Sequence, residues 1–170
     1  MGRGKRFAPD SGVLNEIVGG WSVGAICQTY TGSPLSPIEL VNNTNSFSAG
    51  NRPNLVGDPN LPGGRSRNQK LAEWFNTAAF VAPPIYVFGN APRTFGSGPG
   101  AFALDASLLK DFPIAERIVL QLRLEALNAL NHANFANPNT QQGSPTFGQI
   151  TGLYSGTPAR ILQIGAHLSF

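Results

Sequence analysis

The sequence predicts an all-β fold: the last four to five antiparallel strands of a transmembrane β-barrel with long extracellular loops, a fragment of a longer protein. Three observations carry this expectation. Four segments alternate apolar and polar side chains with a period of two. The connections between them are very unequal: a few residues in one case, residues 32–100 and 132–159 in the others. Charge is scarce, with 12% of residues Asp, Glu, Lys or Arg, about half the usual share. Beyond Glu125 the sole charged side chain is Arg160. The 20 glycines and 14 prolines exclude a helical bundle or coiled coil. A hydrophobic content of 41% with 11 phenylalanines excludes a wholly disordered chain.

The first strand is expected near residues 20–31, where Trp21, Val23, Ala25 and Cys27 share one face. The second, near 101–111, sets Phe102, Leu104, Ala106 and Leu108 against Asp105 and Ser107. In the third, near 117–131, Ile118, Leu120, Leu122, Leu124 and Ala126 occupy the even positions, while Arg117, Gln121, Arg123 and Glu125 are odd. Its Leu, Arg, Glu and Ala are good helix formers, but a helix would scatter every second residue around its circumference, so strand is the reading. The fourth, near 160–170, has Leu162, Ile164, Ala166, Leu168 and Phe170 opposite Gln163, Gly165, His167 and Ser169.

The second and third strands are joined by a short link, Phe112 to Glu116, containing Pro113. The other two connections are long and rich in Asn, Gly, Pro and Ser, and structureless loops of that length argue against a compact soluble domain. Short turns at one end and long loops at the other are the pattern of outer-membrane barrels, and strands of this length suit a tilted membrane crossing. If the short link is periplasmic, the chain ends at Phe170 on that side. Leu162, Ile164, Ala166, Leu168 and Phe170 then form the C-terminal pattern by which barrel-assembly machinery selects its clients.

A net charge of +3 and a pI near 9.4 do not indicate nucleic acid. The basic clusters Arg3, Lys5, Arg6 and Arg65, Arg67, Lys70 have no interleaved aromatics and read as a solvated chain end and loop. The single Cys27 excludes an internal disulfide and a multi-cysteine zinc site, and reads as a small buried hydrophobe. There is no apolar run of about 18 residues for a membrane helix. No apolar run follows the first basic residues either, so Met1 reads as an internal methionine or a misassigned start.

Asp105, Gln121, Arg123 and Glu125 are expected to face the barrel lumen. The ordinary reading of Asp105, Arg123 and Glu125 is a solvated cross-strand ladder of opposite charges, worth up to about 1 kcal/mol per pair. Trp74, Phe75, Phe80 and Tyr86 are candidate extracellular loop contacts, or else pack the loop on itself. Trp21 and Tyr30 bracket the first strand and suit two interfacial girdles. His132 and His167 have no ligand-spaced partners. Gly96, Gly98 and Gly100 read as turn glycines without the Lys-Ser/Thr of a phosphate loop, and no serine sits in a hydrolase elbow. No metal, cofactor or catalytic residue is expected, and the chain is not expected to be an enzyme.

Nine stretches carry a family resemblance, in order: GRGKRF at 2–7, GGW at 19–21, YTGSPLSP at 30–37, NRPNLVGDPNLP at 51–62, WFNTAAF at 74–80, FGNAPRTFGSGPG at 88–100, LDASLLKDFPI at 104–114, LRLEALNALNHANF at 122–135 and SPTFGQI at 144–150. The chain resembles the C-terminal end of a TonB-dependent outer-membrane receptor of the Oar-like type, which carries a carboxypeptidase-regulatory-like domain at its N-terminus. The resemblance implies a barrel of about 22 strands, with a signal peptide, accessory domain, plug and TonB-contacting segment outside this sequence. It implies the outer membrane of a Gram-negative bacterium, with the lipid bilayer, the barrel-assembly machinery, TonB and a transported substrate as partners. The alternative is a soluble β-sandwich binding or adhesion module. The apolar face discriminates: a sandwich hides it in a core, whereas a barrel shows it to lipid.

Overall fold

The computed structural model describes residues 17–47 and 51–170; the GRGKRF stretch, with Arg3, Lys5 and Arg6, lies outside them. In chain order the elements are β1 (Trp21–Tyr30), β2 (Pro34–Leu35), β3 (Ile38–Glu39), β4 (Asn54–Leu55), helix α1 (Arg67–Ala72), a 3-10 turn (Thr77–Ala79), β5 (Phe80–Val81), β6 (Gly96–Ser97), β7 (Ala101–Ala115), β8 (Ile118–Leu127), β9 (Gln141–Gln142) and β10 (Ile161–Ser169). They divide into two compact units. One holds the four long strands, and the other is built from residues 30–101 and 134–155.

The long strands form one sheet in the order β1-β7-β8-β10, and the chain is all-β in class. β7 and β8 pair antiparallel with Leu108 opposite Leu124 and Phe112 opposite Leu120. β10 pairs antiparallel with β8, with Ile164 opposite Leu124, Ala166 opposite Leu122 and Leu168 opposite Leu120. The Asp111 amide donates to the Gly20 carbonyl across β1 and β7. Because side chains alternate and pairs lie directly opposite, the apolar positions of all four strands fall on one face. That face is uncovered: Val23 is 78% and Ile164 85% exposed. Among the described residues no second layer covers this sheet, so it has no sandwich core. Cys27 was expected as a buried hydrophobe, yet it is exposed, because a single-layer sheet has no second layer to bury that face.

β7 continues through Pro113 to Ala115, leaving only Glu116 and Arg117 as the turn, with a register shift between Pro113 and Ala115. Proline is tolerated there because its nitrogen faces the same side as that of Asp111, and position 113 lies past the start of β1. No ladder bond is lost. β8 ends at Leu127, short of the expected 131, because Asn128 and Asn131 take positive φ of 47° and 52°. Asparagine tolerates this left-handed conformation better than other non-glycine residues. The buried Asn128 side chain holds the turn: its Nδ2 donates to the carbonyls of His132 (3.1 Å) and Pro158 (3.0 Å), and its Oδ1 accepts from the His132 amide (3.0 Å).

The long connections, expected to be structureless, form the second unit. Its core is Leu35, Phe75, Ala79, Phe80 and Ala91, with Leu55, Trp74, Phe95 and Phe147 packed against it. Phe75 meets Phe95 edge-on at 4.8 Å and Phe147 at 5.2 Å, and Phe80 meets Phe95 at 4.8 Å. Such edge-to-face pairs contribute about 0.5–1.5 kcal/mol each beyond burial. Two-residue ladders tie distant segments together: β2 with β6, β4 with β5, and β3 in parallel with β9. Helix α1 begins in a capping box, where Gln69 N donates to Ser66 Oγ and Ser66 N to Gln69 Oε1. The Arg65 guanidinium closes its other end by donating to the carbonyls of Gln69, Glu73 and Trp74.

Candidate functional site

Of the expected loop contacts, two are core residues. Phe75 is 4% and Phe80 3% exposed and both pack in the core of the loop unit, while Phe75 also lines a cavity of about 200 Å³ with Trp74 and Phe95. WFNTAAF reads as surface aromatics in sequence because nothing local shows that Leu35, Phe95 and Phe147 arrive from elsewhere to cover them. Trp74 is half-buried and its Nε1 donates to the Ser97 carbonyl at 2.9 Å. Tyr86 remains exposed, at a positive φ of 65°.

The polar face of the sheet carries Asp105, Gln121, Arg123 and Glu125, though not as a charge ladder. Asp105 Oδ1 accepts from the Asn128 amide at 2.8 Å, so it caps the end of the strand. Gln121 Nε2 donates to Asp111 Oδ1 at 2.8 Å. Arg123 stands opposite Leu109 and Gly165, and Glu125 opposite Ser107 and Gln163. The register thus puts each charge beside a neutral neighbour, and among the described residues no ion pair joins Asp105, Arg123 and Glu125. Leu162, Ile164, Ala166 and Leu168 lie on the apolar face of β10, and Phe170 is exposed just beyond it.

Sequence reasoning missed Lys110. Continuing the alternation Phe102, Leu104, Ala106, Leu108 by one step puts this lysine on the apolar face, yet it is only 5% exposed. Its Nζ donates to the carbonyls of Ile17 and Gly19 and lies 5.2 Å from the Trp21 ring and 5.1 Å from that of Phe112. Backbone acceptors and ring faces together make a cation tolerable at such a position. Tyr30 stands nine residues from Trp21 on the same strand, an odd separation, so alternation puts the two on opposite faces rather than in one lipid-facing set.

Tyr30 instead lines a cavity of about 270 Å³ in the second unit, with Thr31, Ser33, Phe135, Asn137 and Tyr154 among its walls. One wall is the exit of β1, drawn against residues 98–100: the Gly98 amide donates to the Ser33 carbonyl at 2.8 Å. A Cβ on Gly32 would stand 1.7 Å from the Gly98 carbonyl oxygen, so glycine is required at this approach. The other wall is held by an antiparallel bridge between Phe135 and Leu153. There the Ala136 amide donates to Gly152 (3.1 Å) and the Tyr154 amide to Asn134 (3.0 Å). Among the described residues no group of three or more His, Cys, Asp or Glu is placed to hold a metal ion.

A single-layer antiparallel sheet, apolar and uncovered on one face and polar on the other, with a short turn at one end and an ordered loop unit fed by long connections, defines the class of membrane β-barrel proteins. A family model for the outer membrane beta barrel domain matches residues 1–163, and the chain belongs to that family. Its place is the outer membrane of a Gram-negative bacterium, in association with the lipid bilayer. No curated protein and no solved structure matches the chain.

Proposed function

We propose that the chain is the closing part of a TonB-dependent outer-membrane receptor of the Oar-like type. It contributes barrel strands, the mouth of the receptor and the C-terminal assembly signal, and takes no part in catalysis. The observation that carries this reading is the sheet itself. Among the described residues the four strands leave two unpaired edges, which lipid does not tolerate, so the strands belong in a larger closed barrel. The ordered matches to the Oar-like pattern support the particular kind of barrel. Substrate then binds at the loop unit on the extracellular side and passes through the lumen when TonB moves the plug. Asp105, Gln121, Arg123 and Glu125 line that lumen.

The test uses the full-length gene product. It is expected to copurify with the periplasmic domain of TonB, and deletion of Phe170 is expected to lower its outer-membrane level. An undiminished level without Phe170 counts against the assembly signal. Normal membrane level with no TonB binding leaves a barrel of another kind.

A further inference from the structure

We infer that the cavity walled by Tyr30, Ser33, Phe135, Asn137 and Tyr154 is a saccharide subsite. The inference rests on the reading of the loop unit as the receptor's outward mouth, and specifies what that mouth takes. At about 270 Å³ the cavity is just below the range of drug-sized pockets, which suits one or two sugar rings rather than a folded partner. None of its lining side chains carries a charge, so it lacks the Arg and Lys that recognise carboxylates or phosphates. It also lacks the carboxylates that recognise an amine. The guanidinium of Arg67, which is not among the lining residues, lies over the Phe135 ring at 4.8 Å.

The polar groups present are hydroxyls and a carboxamide, from Thr31, Ser33, Ser155, Asn137 and the two tyrosines. Each both donates and accepts hydrogen bonds, as the hydroxyls of a sugar do. Tyr30 and Tyr154 put aromatic carbon on the walls, against which the C–H face of a pyranose packs. A peptide would ask instead for a row of free backbone groups, and on this wall those of residues 134, 136, 152 and 154 are already engaged with one another. The walls are pre-formed by the glycine approach at Gly32 and Gly98 and by the bridge at Phe135, so little ordering opposes binding.

The experiment has two arms on the full-length protein. In intact cells of a Cys27→Ala background, Ser155→Cys is labelled with a membrane-impermeant maleimide; labelling supports the outward mouth, and protection overturns it independently of any ligand. The purified protein is then titrated in detergent with glucose, galactose, N-acetylglucosamine, cellobiose, lactose and chitobiose, with triglycine and inorganic phosphate as competing classes. Saturable binding of at least one saccharide is expected, weakened about tenfold or more by Tyr154→Ala and by Asn137→Ala. Tyr154→Phe separates the loss of the ring from loss of the hydroxyl, and heat-modifiable migration verifies that each variant folds. Labelling without saturable binding of any saccharide overturns the subsite while leaving the receptor reading in place. Tighter binding of triglycine or phosphate than of every sugar overturns it too.

Discussion

Leu124 and Gln121 lie on one strand and face opposite ways, so they test the face assignment with the same substitution. Leu124 stands between Leu108 and Ile164 on the apolar face, whereas Gln121 bonds Asp111 on the polar face. Leu124→Arg is expected to cost about 2–4 kcal/mol near the bilayer midplane, and Gln121→Arg little, because a lumenal cation keeps its water. Urea titration of the full-length protein refolded into lipid vesicles measures both; equal costs would remove the distinction between faces. Glu39, in the loop unit, gives a pH-dependent signature. Its Oε1 is buried without a hydrogen-bond partner, and desolvation raises its pKa above the ordinary 4.5. The folded unit therefore holds this proton more tightly than the unfolded chain. Stability from that proton is full below about pH 4.5 and is lost as pH rises through the raised value. Glu39→Gln is expected to stabilise the loop unit at pH 7 and to flatten its stability between pH 4.5 and 7, measured by urea unfolding at stepped pH. An unchanged slope would show that the carboxyl is not desolvated.

Elements differ in how far they can be read from sequence, and the reason is where their information resides. β10 announces itself because its alternation is local and unbroken from Leu162 to Ser169. The end of β8 was not legible: the apolar even positions resume at Leu130 after Asn128, so the alternation runs on to 131, while the strand stops at Leu127, where Asn128 turns into the left-handed region. The extension of β7 through Pro113 was hidden because its tolerance depends on where β1 begins. Helix α1 left only its capping box, Ser66 with Gln69, since six residues are too few for a helical period. The paired strands β2 to β6 and β9 are two residues each and exist only through distant partners, so no local pattern encodes them. The same holds for the cavity: Ser33, Phe135 and Tyr154 are far apart in sequence, and each alone is an ordinary loop residue.

At the scale of the molecule, the two units are stabilised by different environments, and this predicts separable failure. The sheet leaves its apolar face uncovered, which on the proposed reading lipid solvates, while the loop unit has a core of its own around Phe75 and Phe80. Phe75 is the hub of that core, in edge-to-face contact with Phe80, Phe95 and Phe147. Phe75→Ala removes all three contacts and leaves a cavity, a loss of about 3–5 kcal/mol. That is a large share of the roughly 5–15 kcal/mol by which a folded unit is usually stable. None of the sheet's ladder bonds depends on Phe75, because β1, β7, β8 and β10 pair only with one another. In the full-length protein, Phe75→Ala is expected to make residues 30–101 sensitive to limited proteolysis while heat-modifiable migration of the barrel persists. Loss of both together would show that the loop unit and the sheet fold as one cooperative body.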